Sequence, residues 1–95
     1  KAALASWARA LSFEVAPRGT TINCLAPGKI ESRQMLERIH PTEDARAKVI
    51  AETIPLGRFG TPAEFGFIAA CLASPRASYV NGAVIPIDAG MQRLF

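Results

Sequence analysis

Apolar and small residues run almost without a break over residues 2–16, interrupted only by Ser6, Arg9, Ser12 and Glu14. The pattern predicts a helix over residues 2–16 that is apolar nearly all round, and such a helix is expected to be buried on more than one side. Ser6, Arg9 and Ser12 sit three apart and form one narrow polar stripe. Ala2, Ala3, Ala5, Ala8 and Ala10 would let another backbone come close. Pro17 cannot continue the helix, and Gly19 supplies a turn conformation. Residues 20–25, Thr-Thr-Ile-Asn-Cys-Leu, then read as a strand with apolar or small residues on both faces, as inside a parallel sheet. Ala26-Pro27-Gly28 ends it sharply.

Residues 29–56 are more polar and less regular, a lid-like insertion of the kind that covers a site. Residues 32–39 could form a short helix. Thr42 is placed to cap a second one, with Glu43 and Asp44 favourable in its first turn, running to about Glu52 and stopping before Pro55. The clearest local signal is Thr61-Pro62-Ala63-Glu64, with an N-cap, a proline at the first helical position and a glutamate completing a capping box. The helix that follows puts Phe65, Ile68, Ala69 and Leu72 on one face and stops at Ser74-Pro75. Asn81-Gly82 predicts a hairpin turn, and residues 83–88 a second strand closed by Ala89-Gly90. Pro86 cannot donate to a ladder, which predicts an edge strand. Two strands do not make an independently stable sheet, so the pattern calls for a larger one. A small self-sufficient α/β protein of this length is therefore disfavoured.

Composition changes little. With 49% hydrophobic residues among 95, the chain is too apolar to be disordered. The net charge of +3 comes from scattered basic residues rather than a dense stripe, which argues against nucleic-acid binding. No apolar run is long enough to span a membrane, and no secretory leader pattern is present. Cys24 and Cys71 have neither zinc-site nor disulfide-framework spacing and read as buried reduced thiols, which predicts a cytoplasmic protein. His40, before Pro41, has no partner for a metal role. The helical pattern is already running at Ala2, directly after Lys1, which predicts further sequence upstream.

The order of these parts resembles the second half of a short-chain dehydrogenase/reductase. Lys1-Ala2-Ala3-Leu4 looks like the residues that follow the family's Tyr-x-x-x-Lys motif. Ala16-Pro17-Arg18-Gly19, Ile22-Asn23-Cys24-Leu25-Ala26-Pro27-Gly28 and the run from Pro55 to Glu64 continue the likeness. The run from Tyr79 to Gly90 closes it, and 3-oxoacyl-carrier-protein reductases are among the similar members. The resemblance implies an α/β fold, the C-terminal portion of a doubly wound Rossmann-type parallel sheet that binds NAD or NADP. Residues 1–95 would form the C-terminal part of that single domain.

By the same resemblance the reaction is hydride transfer between the nicotinamide and a small carbonyl or alcohol substrate. Lys1 matches the lysine that holds the ribose hydroxyls and lowers the pKa of the catalytic tyrosine; taken alone it would be an exposed helix-start lysine. The tyrosine would lie four residues before Lys1, and the serine that polarises the substrate and the Gly-rich pyrophosphate turn would also lie upstream. This chain is thus expected to be catalytically incomplete by itself. Pro27 and Gly28 would border the nicotinamide, glycine giving a flat ring room to approach; without the flanking match they would be a plain turn. The backbone of Ile30 would meet the carboxamide. Ser32 stands where a threonine hydroxyl commonly bonds the cofactor, or else it caps a helix. Residues 33–52 would be the substrate lid, where Met35, Leu36 and Ile39 could line a pocket or pack the lid down. Asn23 is expected to be a buried structural amide with its hydrogen bonds satisfied. Trp7 and Phe13 belong to a helix that packs against a partner subunit in the family, implying a homodimer or homotetramer. No metal site, nucleic-acid partner or membrane partner is expected. A non-catalytic oligomerisation or binding module on the same fold is the competing reading, and neither substrate nor the choice between NAD and NADP can be read from these residues.

Overall fold

The computed structural model describes residues 2–92. In chain order it holds α1 (Ala2–Val15), a 3-10 turn (Ala16–Arg18), β1 (Cys24–Pro27) and a short π-helix (Met35–Ile39). These are followed by α2 (Glu43–Thr53), α3 (Pro62–Leu72), a second 3-10 turn (Pro75–Ala77) and β2 (Val84–Ile87). The strands pair as one two-stranded sheet. Cys24 N–H donates to Ala83 O at 2.9 Å and Gly28 N–H to Ile87 O at 3.0 Å, so both chains advance together and the pair is parallel. By alternation, Pro27 and Pro86 fall where the backbone nitrogen faces away from the partner strand. Neither proline therefore deletes a bond of this ladder. The α/β class and the parallel sheet agree with expectation.

The chain packs as two units, the residues up to Ala26 with Phe67–Ile85, and Pro27–Gly66 with the residues from Pro86 onward. In the first, Pro17 lies in the 3-10 turn after α1, and Gly19 stops it at φ +81° with its N–H on Ala16 O. The predicted strand over residues 20–25 is displaced. Ile22 N–H is taken by Asn81 Oδ1 at 3.0 Å, and Ile22 C=O receives Gly82 N–H, so the ladder begins only at Cys24. A β-branched run favours extended backbone, but a ladder needs a main-chain partner, and here a side chain takes that place.

Of the polar stripe of α1 only Ser12 turns inward; Ser6 and Arg9 are exposed. Ser12 is 4% exposed, and its hydroxyl donates to Arg9 O; Arg9 donates from its guanidinium to Gly82 O at 3.1 Å. A side-chain carbon on Gly82, which has φ +72°, would stand 3.0 Å from Ser12 Oγ, so helix and turn meet through small groups. Ala8 is buried beside this stripe, whereas Phe13 is 85% exposed and Trp7 and Leu4 are also exposed. Burial on several sides, expected from composition, is not seen among the described residues: α1 turns one face inward, Ala5, Ala8, Leu11, Ser12 and Val15, mostly small or apolar.

Asn81-Gly82 is not a hairpin turn, since it links the 3-10 turn at Pro75–Ala77 to β2. Asn81 Nδ2 donates to Ser12 O, while Asn23 Nδ2 donates to Val80 O and Asn23 Oδ1 accepts from Ala83 N–H. Asn23 is the satisfied amide expected, although only half-buried. Cys24 and Cys71 are free, but Cys71 is exposed and Cys24 half-buried, so neither is the buried thiol expected.

In the second unit, Ile54 and Phe59 form the buried core. Thr42 Oγ1 accepts from Ala45 N–H and caps α2 as predicted. The helix expected over residues 32–39 is instead a brief helical turn that widens into the π-helix, where His40 N–H reaches Met35 O at 2.9 Å. No helix among the described residues is long and apolar enough to cross a membrane.

Candidate functional site

The second unit collects the predicted site residues at the C-terminal end of β1, where open parallel sheets receive ligands. Lys1 lies outside the described residues. Pro27 is exposed and ends the strand. Gly28 follows, and a side-chain carbon there would lie 2.7 Å from Asp88 Cβ, 2.8 Å from Asp88 Cα and 3.2 Å from Met91 Sδ. Glycine is thus imposed from within the protein, by the main chain of the turn after β2. That turn is tied by the Asp88 carboxylate, whose oxygens accept from Gly90 N–H and Gln92 N–H. Asp88 and Met91 were missed as neighbours of Gly28; the Asp-x-Gly spacing could have signalled the turn, but nothing local indicated what it packs against.

Ile30 is pinned by an isolated parallel bridge to Gly60. Gly60 N–H donates to Lys29 O at 3.0 Å, and Glu31 N–H donates to Gly60 O at 2.8 Å. In that register the N–H and C=O of Ile30 itself face away from Gly60, and they bond no other group among the described residues. A side-chain carbon on Gly60 would come within 2.8 Å of Ile30 Cδ1, the far end of a flexible side chain, so a shift of Ile30 relieves that approach. Ser32 caps the next turn: its Oγ accepts from Met35 N–H at 3.1 Å, and its carbonyl from Leu36 N–H. An oxygen used as acceptor still has its hydroxyl proton to donate, so capping and ligand contact are compatible.

Beyond Ser32, a cleft of about 430 Å³ opens in this unit. Leu36, Ile50 and Phe59 give it apolar lining. Glu31, Arg46, Arg58 and Thr61 supply its polar groups. Leu36 therefore faces a pocket, while Ile39 is 50% exposed. Arg58 forms a two-pronged pair with Glu64, each oxygen 2.8 Å from a guanidinium nitrogen. Glu64 also accepts from Thr61 N–H, and Thr61 Oγ1 accepts from Glu64 N–H, closing the predicted capping box. The Arg58 hydrogen bond, then that of the Thr61 main chain, pull the Glu64 carboxyl down to about 2, and Glu64 in turn raises Arg58. His40 lies beside Phe59, ring centroids 6.2 Å apart, and its buried Nε2 has no hydrogen-bond partner among the described residues. The described residues hold no cluster of three or more His, Cys, Asp or Glu that could bind a metal.

A sequence profile of the family described as enoyl-(acyl carrier protein) reductase matches residues 1–92. Cyclohexanol dehydrogenase of Rhodococcus sp. (strain TK6) is 36% identical over 91 residues, covering 96% of this chain and 33% of the relative. The 3-oxoacyl-[acyl-carrier-protein] reductase FabG of Rickettsia prowazekii (strain Madrid E) is 38% identical over 91 residues, covering 96% of this chain and 36% of the relative. Among solved structures, YwfH, described as an NADPH dependent reductase involved in bacilysin biosynthesis, superposes with a TM-score of 0.89 at 34% identity. That match covers 99% of this chain and 38% of the other. The chain belongs to the short-chain dehydrogenase/reductase family and carries a portion of its Rossmann fold. It spans about a third of the length of these curated relatives.

Proposed function

We propose that the protein containing this chain is an NAD(P)-dependent oxidoreductase acting on a small carbonyl or alcohol compound, with this chain furnishing the nicotinamide end of the cofactor site. The observation that carries the reading is the main chain of Ile30, held by the bridge to Gly60 with its own N–H and C=O unbonded among the described residues. A carboxamide is both donor and acceptor, and an adjacent N–H and C=O match it. Ser32 has a hydroxyl proton to donate to the same ligand, and Pro27 and Gly28 border the ring. When bound, the nicotinamide gives or takes the hydride. Lys1 would hold the ribose hydroxyls and, by its charge, lower the pKa of the catalytic tyrosine. NADP is the favoured cofactor, because a structural neighbour is described as NADPH dependent. The names of relatives point to 3-oxoacyl thioesters and cyclic alcohols as substrate classes to try.

Residues 33–52, within the insertion of residues 29–56, act as the lid over the substrate. The exposed Leu4, Trp7 and Phe13 of α1 support a homodimer or homotetramer, and two free cysteines support a reducing, cytoplasmic setting. The test uses the full-length protein with NADPH or NADH and a panel of ketones and 3-oxoacyl thioesters, following loss of reduced-cofactor absorbance. Turnover is expected, with kcat/KM falling on the order of 10²-fold or more in Lys1→Ala. Failure to bind either cofactor in a calorimetric titration sinks the reading.

A further inference from the structure

We propose that Arg46 is a positioning residue that fixes the substrate-side loop from Leu36 to Pro41 and thereby sets the shape of the cleft; the substrate part of this proposal rests on the function proposed above. The need for such a residue follows from the local chain. In the π-helix, His40 N–H bonds Met35 O, five residues back. The next bond in that register would run from residue 41 to Leu36 O, but residue 41 is Pro and has no N–H. Leu36 O is left without a main-chain donor, as are the last carbonyls of any helix. Arg46, one turn into α2, supplies the missing donors. Its guanidinium donates to Leu36 O at 2.6 Å, to His40 O at 2.8 Å and to Pro41 O at 3.3 Å. Three carbonyls thus converge on one planar fork, a geometry that a lysine ammonium cannot reproduce in full.

The clamp sits where it matters for a ligand. Arg46 and Leu36 both line the cleft, together with Ile50 and Phe59. At the other end of the same turn Ser32, the proposed cofactor contact, caps Met35. Releasing Arg46 therefore frees the wall of the cleft without touching the bridge that holds Ile30. Loss of the clamp is expected to weaken substrate binding selectively.

The experiment compares Arg46→Ala, Arg46→Met and Arg46→Lys in the full-length protein by steady-state kinetics and amide hydrogen exchange. Arg46→Ala and Arg46→Met are expected to raise KM for the carbonyl substrate about tenfold while leaving NADPH affinity within about twofold. Exchange at the amides of residues 36–40 should quicken about tenfold or more, with those of α3 unchanged. Arg46→Lys should recover part of both effects, and added guanidinium ion should partly restore Arg46→Ala. Unchanged exchange at residues 36–40 overturns the proposal. So does a rise in exchange that extends through α3 with matching loss of NADPH affinity, which is what a merely structural role would produce. If the wild type binds neither cofactor, the functional reading and the substrate role of Arg46 fail together; selective loosening of residues 36–40 would then show that the clamp itself stands.

Discussion

The two packing units are held by different kinds of polar contact. In the first, side chains bond backbone groups far away in sequence. Arg9 reaches Gly82, Asn81 reaches Ile22 and Ser12, and Asn23 reaches Val80 and Ala83, separations of 57 to 73 residues. In the second, most side-chain bonds are local, the caps at Ser32, Thr42 and Thr61 and the clamp of Arg46 lying within ten residues of their partners. Long-range amides set the join between helix, turn and strand, and losing one leaves partly buried or exposed backbone groups without their partner. Local caps set the course of a loop, and losing one loosens that loop. The first unit is thus expected to be the stiffer part, and the second holds the residues proposed to meet the cofactor and the wall of the cleft.

That contrast can be broken most severely at Gly28, where the second unit makes a close contact sixty residues away in sequence. Gly28→Ala drives a carbon into the main chain of Asp88 and should cost about 3 kcal/mol, the upper end for overpacking, because backbone rather than a flexible side chain must move. Urea denaturation of the full-length protein measures it, and a loss below about 1 kcal/mol would mean that the turn at Asp88 yields easily. Asn81→Ala strands Ile22 N–H and Ser12 O, and about 2 kcal/mol should be lost in the same measurement. Thr61→Ala, which removes only a local cap, should cost about 1 kcal/mol; a loss equal to that of Asn81→Ala would erase the distinction between the units.

Glu64 sharpens it through pH. Its carboxyl lies at about 2 in the folded chain against an ordinary 4.5. The unfolded chain therefore takes the proton first, and the stabilisation is complete above about 4.5, shrinks as pH falls and is gone below about 2. Glu64→Gln should flatten the stability profile within that window, by an amount that salt reduces because the pair is exposed. A profile identical to the wild type would show that other carboxylates govern acid unfolding. The smallest effect is expected at Ala89, the one described non-glycine residue with positive φ, at 55°. Ala89→Gly relieves left-handed strain but gains chain entropy in the unfolded state, so the net change in melting should correspond to less than about 1 kcal/mol.

Much of the second unit was legible in the sequence because its signals are local. Thr61-Pro62-Ala63-Glu64 and Thr42-Glu43-Asp44 specify helix starts through bonds spanning three residues, and both helices begin where those residues say. Pro27-Gly28, Ile30 and Ser32 were singled out only through family resemblance, and the structure adds that the bridge to Gly60 leaves the main-chain groups of Ile30 facing away from it. The π-helix was not legible, since a widened turn differs from an α-turn by one residue of register. Arg46 gave no sign of its role, because its partners are backbone carbonyls, which every residue possesses.

By itself the sequence determined the order and class of the elements, the helix caps, the proline-bounded loop and membership in the short-chain dehydrogenase/reductase family, all of which depend on periodicity and on residues close together in the chain. Tertiary structure alone decided which face of α1 turns inward, where the first strand begins, and why residue 28 is glycine. Those outcomes depend on the approach of segments some sixty or seventy residues apart, as between Arg9 and Gly82 or Gly28 and Asp88. Ser12 is the polar residue that joins this mostly small and apolar inward face of α1, because the buried Gly82, with no side chain, lets Ser12 Oγ approach while Arg9 bonds its carbonyl.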